Sequence, residues 1–221
     1  MSQTSFPDEA TARAWLVETM GCDGAAIARL EQLVAMLGEE NAKQNLVAAS
    51  SLDAAWRRHI ADSAQLLTHV PRETLDGGNA GIWLDLGTGA GFPGLVIAAI
   101  CPDRPVWMVE SRSRRVEWLE RARAALGLAQ ARVVGRPLER VDTVHSTVIS
   151  ARAFAPLDRL VALSARFSTD ATQWLLPKGR SAREELQALT GWRHNFRVER
   201  SLTDAHSGII CGQLLGKGMK R

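Results

Sequence analysis

The feature that most constrains this chain is a strand that has to turn at once into a helix. Ile82-Trp83-Leu84 leads into Asp85-Leu86-Gly87-Thr88-Gly89-Ala90-Gly91-Phe92-Pro93-Gly94, and the apolar run Leu95-Val96-Ile97-Ala98-Ala99-Ile100 follows. So sharp a turn needs residues free of a Cβ penalty, and closely spaced glycines also let the backbone approach a ligand. The first turn of the helix offers unpaired N–H groups, and Pro93 suits that turn because its missing donor costs nothing there. A dinucleotide-binding turn would read Gly-x-Gly-x-x-Gly. Phe92 stands where its third glycine would be, and the spacing is instead Gly87-x-Gly89-x-Gly91 behind Asp85.

Around this turn the chain divides in two. Residues 8–70 read as helices: one capped by Asp8 and ended by Gly21, a second capped by Asp23 and stopped at Gly38, and a third over 51–69. Ala14, Leu16, Val17 and Met20 form the apolar stripe of the first, and Ile27, Leu30, Leu33, Val34 and Leu37 that of the second. Asp76-Gly77-Gly78-Asn79 reads as a turn or short linker. Strand-like runs at 82–86, 106–110, 131–134, 147–150 and 173–176 then alternate with helical runs at 91–100, 114–126, 157–166 and 182–189. That alternation predicts a parallel sheet with right-handed crossovers. The end differs: 196–202 and 209–215, separated by a polar turn with Gly208, predict an antiparallel hairpin. The expected organisation is a helical segment, residues 1–78, packed on an α/β core, residues 79–221.

Composition removes several alternatives. Cys22, Cys101 and Cys211 have no Cys-x-x-Cys spacing and no nearby histidine to complete a zinc site. They read as reduced thiols of a cytoplasmic protein, and no metal is expected. No apolar run reaches the ~20 residues of a membrane helix, and the polar N-terminus has no signal core. Lys and Arg total 27 against 24 Asp and Glu, a charge of +3 too small to indicate nucleic acid by itself. Nothing reads as a coiled-coil seam, so a monomer is expected.

The glycine spacing behind an acid resembles motif I of methyltransferases that use S-adenosylmethionine, and a parallel sheet with one antiparallel addition is the class I, Rossmann-like layout of those enzymes. Glu110, at the end of the next strand and roughly 20 residues on, stands where a ribose diol is gripped in such sites. The string from Asp85 to Leu95, with its Phe-Pro-Gly, resembles more narrowly the glucose-inhibited division protein B family, the small-subunit rRNA guanine-N7 methyltransferases. Asn45-Leu46, Arg58-His59-Ile60-Ala61-Asp62-Ser63, Glu110-Ser111-Arg112, Ser150-Ala151-Arg152-Ala153-Phe154-Ala155 and Lys178-Gly179 resemble that family's segments in the same order. The likeness spans about residues 45–212. It implies a cofactor, S-adenosylmethionine, and a partner, the 16S RNA of the small ribosomal subunit. It places cofactor contacts at Gly87, Phe92, Pro137, Leu138 and Arg152. The family usually has an acid where Leu138 stands, although Glu139 follows, and an Asp at the start of the fourth strand, where this chain has His145-Ser146-Thr147.

Guanine N7 carries a free lone pair, so transfer to it needs alignment and electrostatic fit rather than a general base. Asp85, Gly87, Gly89, Phe92, Glu110, Pro137, Leu138 and Arg152 are therefore the candidate cofactor residues. Asp85 either attracts the ammonium group of the ligand or orders the loop. Arg152, at the C-terminal end of the fourth strand, is the candidate for positioning in catalysis, against a structural ion pair. His59 and Asp62, a helical turn apart, either border the substrate or pack the helix. Lys178 either reaches phosphate or is a solvated lysine. For RNA, Arg57-Arg58, Arg112, Arg114, Arg115, Arg121, Arg123, Arg180, Arg183 and the tail Lys217-Gly218-Met219-Lys220-Arg221 supply cations, although Glu117 and Glu120 stand among them. Trp56, Trp83, Trp107, Trp118, Trp174 and Trp192 read as core or boundary residues. The competing functions are methyl transfer to another substrate, an NAD-dependent oxidoreductase, and a non-catalytic ribosome-assembly factor.

Overall fold

The computed structural model describes residues 6–71 and 81–218. The expected turn at 76–79, the boundary at 78/79 and the end of the basic tail lie outside them.

Asp8 caps α1 (Glu9–Glu18) by accepting from the Thr11 N–H, and Asp23 caps α2 (Gly24–Asn41) through Ala26. Leu16 turns inward from α1, whereas Val17, expected in the same stripe, is exposed. Gly38 does not stop α2. The helix runs one turn further because Asn41 at its end is itself tied down, its side-chain oxygen accepting from Leu46 and Val47. The expected third helix is continuous over 49–69 but irregular: 3-10 turns (Ala49–Ala54), a π-helical turn (Trp56–Ala61), one α-turn, α3 (Asp62–Ala64), and a 3-10 end (Gln65–His69). A π-turn widens the helix and re-aims the side chains it carries.

The core is a seven-stranded sheet in the order β3-β2-β1-β4-β5-β8-β7. Its parallel part comprises β1 (Trp83–Leu86), β2 (Val106–Glu110), β3 (Ala131–Gly135), β4 (Val148–Ser150) and β5 (Gln173–Gly179). The hairpin of β7 (Arg197–Arg200) and β8 (Gly208–Gly212) closes it antiparallel to β5. Gly208 lies in β8 rather than in the turn, since its missing Cβ lets Val198 and Ala182 pack against it. The sequence did not suggest a second sheet, in which β6 (Trp192–His194) pairs with β9 (Leu214–Lys217).

Helices α4 (Gly94–Ile100), α5 (Ser113–Ala125), α6 (Leu157–Ser164) and α7 (Ala182–Ala188) cover the sheet. Alternate strand residues face opposite sides. Trp83, Met108 and Leu175 share one core with Leu30, Leu33 and Leu37 of α2 and Val96 of α4, and Leu84, Val109 and Leu176 share another with Leu157 and Leu160 of α6. The helical segment is thus part of the main core. Burying the three fully covered leucines of α2 contributes on the order of 2 kcal/mol each. Trp83, Trp118 and Trp174 are buried, while Trp56, Trp107 and Trp192 lie half-buried beneath Arg13, Arg132 and Lys217. Among the described residues no helix is long and apolar enough to cross a membrane.

Candidate active site

The glycine turn sits at the C-terminal edge of the parallel strands, where such sheets open their crevice. Gly87, Gly89 and Gly91 all have positive φ. At Gly87 (φ +64°) a Cβ would lie 2.1 Å from Cδ2 of Phe154, so only glycine fits between backbone and ring. Asp85 is fully buried. One carboxylate oxygen accepts from Ser150 Oγ (2.8 Å) and the other from the Gly94 N–H (3.0 Å). Burial pushes its carboxyl up from the usual aspartate range, against the pull of these hydrogen bonds. Of its two possible roles, Asp85 performs the structural one: it orders the loop and does not reach the crevice.

Glu110 faces the turn from the end of β2. Its Oε1 accepts from the N–H groups of Ser111 (2.7 Å) and Arg112 (2.9 Å), and its Oε2 from that of Gly89 (3.1 Å), with Arg115 3.8 Å away. Gly87, Glu110 and Leu138 line a cavity of about 240 Å³ together with Val109, Ala153 and Phe154. Three cations, Arg112, Arg115 and Arg136, stand at its margin. Leu138 presents an apolar wall, while exposed Glu139 does not reach the cavity and Pro137 precedes it on the outside. Phe92 is placed differently from expectation. It is buried, its ring stacked on His59 (5.0 Å, 14°) and lying 5.3 Å beneath the Arg152 guanidinium, and it does not line this cavity.

The opposite side of the crevice is assembled over long sequence distances. Arg152 Nη1 lies 3.4 Å from Asp62 Oδ2 and donates to the Arg58 carbonyl (3.3 Å). The other Asp62 oxygen accepts from Thr203 Oγ1 (2.6 Å) and Gln65 Nε2 (3.0 Å). His59 is buried, with Nε2 2.9 Å from Ser51 Oγ. Burial, reinforced by the charges of Arg152 and Arg58, lowers its pKa to about 4, so the ring is neutral at neutral pH. Two larger cavities meet here. One, about 780 Å³, runs along Phe154, Pro156, Pro177 and Ile209, and the other, about 770 Å³, along Arg57, Arg58, His59 and Thr203; Asp62, Arg152, Ala153 and Ser207 border both. Ala153 and Phe154 also border the 240 Å³ cavity, so all three adjoin at the loop after β4. Ala153 has φ +51°, an uncommon conformation for a residue with a Cβ.

Lys178 is not a solvated lysine. It lines the 780 Å³ cavity, where its ammonium pairs with Glu185 (2.9 Å) and donates to the Ala155 carbonyl (2.5 Å). It anchors the loop that carries Phe154.

The family described as rRNA small subunit methyltransferase G (GidB) matches residues 26–201. Ribosomal RNA small subunit methyltransferase G of Novosphingobium aromaticivorans is 57% identical over 208 residues, covering 94% of this chain and 89% of that protein. Its counterpart in Erythrobacter litoralis is 54% identical, covering 93% and 96%. This chain belongs to the rRNA small subunit methyltransferase G family. The fold is shared more widely: a SAM dependent methyltransferase from Aquifex aeolicus superposes with a TM-score of 0.54 at 15% identity, covering 73% of this chain and 93% of that one.

Within this family member the arginines of α5 are largely engaged: Arg121 pairs with Glu40 of α2, Arg123 with Glu120 and Arg115 with Glu110. Cys22 and Cys211 are free thiols pushed by burial to about 11 and about 12, which keeps them unreactive. At the start of β4, Thr147 Oγ1 accepts from Arg104 (3.0 Å), a contact made at the place where the resemblance leads one to expect an acid. Sequence reasoning missed Phe154, Thr203 and Ser207 as site residues. Only Phe154 carried a signal, since it stands inside the string 150–155 that resembles the family.

Proposed function

We propose that this chain transfers a methyl group from S-adenosylmethionine to N7 of a guanine in the 16S RNA of the small ribosomal subunit. The observation that carries this reading is the junction at 152–154, where a small cavity beneath the glycine turn adjoins a larger one flanked by Arg152 and Asp62. The residues fit the cofactor. Gly87 leaves a cradle that a Cβ would fill, Glu110 sets a carboxylate beside it for a diol, and Leu138 gives a flat apolar wall for a purine. When bound, S-adenosylmethionine supplies a methyl carbon activated by its sulfonium.

The chain's own work is then to orient and to shield. Phe154 forms the wall common to both cavities and offers a face for a stacked base. Asp62 places a carboxylate near a base that becomes cationic on methylation, and Arg152, held by Asp62 and Phe92, orients charged groups of cofactor or RNA. His59, neutral and stacked on Phe92, serves as a packing element rather than a base. No proton has to leave N7, so none of these groups has to accept one. On this reading residues 1–78 form a helical segment that supplies His59 and Asp62 to the core of 79–221. The enzyme acts as a cytoplasmic monomer and needs no metal, because an activated methyl and an unprotonated nitrogen require no Lewis acid.

The test is transfer of labelled methyl from S-adenosylmethionine to small subunits from cells lacking this protein, followed by mass analysis of the digested RNA. One new 7-methylguanosine is expected. Label in protein, or at another position of a base, would overturn the proposed substrate.

A further inference from the structure

We propose that a further cleft, adjoining the crevice described above, is a binding site for RNA backbone phosphate. Arg180 in the turn after β5, Arg183 on α7, Arg200 at the end of β7 and His206 in the β7–β8 turn line a cleft of about 200 Å³. Three independent elements thus bring cations to one place. The acids nearby do not neutralise them. Glu199 is engaged by Arg197 (2.6 Å), and Asp204 accepts from the His206 N–H (2.9 Å) and Ser207 Oγ (2.9 Å) and faces His206 and Arg180 rather than Arg183 or Arg200. Arg183 and Arg200 are exposed and make no ion pair among the described residues, unlike Arg115, Arg121 and Arg123.

Like charges gathered without a counter-ion repel one another, and an anion in the cleft relieves that repulsion. Guanidinium forks match phosphate oxygens two at a time. The position fits a polynucleotide. Gly179, Ser207 and Gly208 line both this cleft and the 780 Å³ cavity, so a strand whose base enters the cavity has its neighbouring phosphates within reach of the arginines. The identity of the anion as RNA rests on the function proposed above; the cleft itself does not.

The experiment is filter binding of protein-free 16S RNA across a range of salt concentrations. It compares the wild-type chain, Arg183→Ala, Arg200→Ala, the triple variant Arg180→Ala/Arg183→Ala/Arg200→Ala, and Arg159→Ala, an exposed arginine on α6 outside the cleft. The slope of log K against log salt should drop by about 1 for each cleft arginine removed. S-adenosylhomocysteine affinity and Tm should stay unchanged, and Arg159→Ala should keep the wild-type slope. An unaltered slope in the triple variant overturns the proposal, as does an equal drop in Arg159→Ala, which would reduce the effect to net charge. Weaker binding to whole subunits with normal binding to RNA also overturns it, because the cleft would then meet a ribosomal protein. A reduced slope in a protein that transfers no methyl group would leave the cleft standing and remove the proposed reaction.

Discussion

The two sides of the crevice are built on different principles. On the side proposed for the methyl donor the contacts that shape the turn are short in sequence: Asp85 holds Gly94 nine residues on, and Glu110 holds Gly89 across 21 residues. Buried acids receive backbone N–H groups there, and Gly87 and Gly91 stand where a Cβ has no room. On the base side they are long: Arg152 meets Asp62 across 90 residues, Thr203 meets Asp62 across 141 and Ser201 meets Gln65 across 136. These are polar contacts, buried at Ser201–Gln65 and half-buried at Asp62, between the helical segment, the loop after β4 and the hairpin. The turn on the donor side is therefore a rigid unit made by one stretch of chain, walled by Leu138 and by the loop after β4. The base side is an assembly whose geometry exists only after the whole chain has folded.

The largest effect should come from breaking the donor side alone. Gly87→Val puts a branched side chain at φ +64° and into the Phe154 ring, combining backbone strain of roughly 1–2 kcal/mol with a clash that shifts the loop. Calorimetric titration should show S-adenosylhomocysteine affinity falling by more than about 100-fold, with a lower Tm. Affinity within a few-fold of wild type would mean that the turn tolerates a Cβ and is no cradle. Next, on the base side, Arg152→Ala should lower methyl transfer to small subunits by about 100-fold or more while Tm and circular dichroism hold, since the side chain is partly exposed and leaves Asp62 with two other donors. Full activity would take Arg152 out of the site.

This contrast also decides what could be read from the sequence. The order of strands and helices and the hairpin were legible, because hydrophobic periodicity and a glycine turn are local properties, and Gly87, Glu110 and Leu138 were named as candidates that the structure brings to one cavity. Gly38 was misread as a helix stop because the ties at Asn41 that carry α2 past it are not visible in helix propensity. Phe92 was assigned to the cofactor by resemblance, yet its ring is taken up by His59, a neighbour 33 positions earlier in the chain. Lys178 was unreadable for the same reason, since nothing local says that Glu185 will bury it. His59 and Asp62 were legible as candidates, but the partners that give them meaning were not.

The neutral His59 gives a smaller test of how firmly the base side closes. Its pKa of about 4 in the folded chain lies below the 6.5 of an ordinary histidine, so between those values the unfolded chain binds more protons and stability rises with pH. The contribution is complete above about pH 6.5 and is lost as pH falls toward 4. Linkage puts the loss between pH 7 and pH 5 at about 2 kcal/mol. His69 and His194 are shifted the same way, so the measurement has to be a difference between chains. Urea unfolding of wild type and His59→Gln at both pH values should show the wild type losing about 2 kcal/mol more than the variant. Parallel losses would mean that the imidazole is open to solvent and that the stack on Phe92 does not close this side.

Phe154 stands between the two sides, and its substitution should have the mildest effect while saying most about the boundary. If the ring is a surface for the target base, Phe154→Ala removes stacking worth roughly 1–3 kcal/mol, about a tenfold or greater loss in kcat/KM for small subunits. S-adenosylhomocysteine affinity should then stay within about twofold, and Phe154→Trp should recover most of the activity because an indole also has a broad face. If the ring instead matters for the way it rests on Gly87, cofactor affinity falls at least as far as transfer, and the larger Trp, crowding that glycine, restores nothing. The first result gives Phe154 to the base side. The second gives the ring to the donor side, 67 residues from Gly87 in a loop held by Lys178, and would make the rigid turn itself depend on the folded whole.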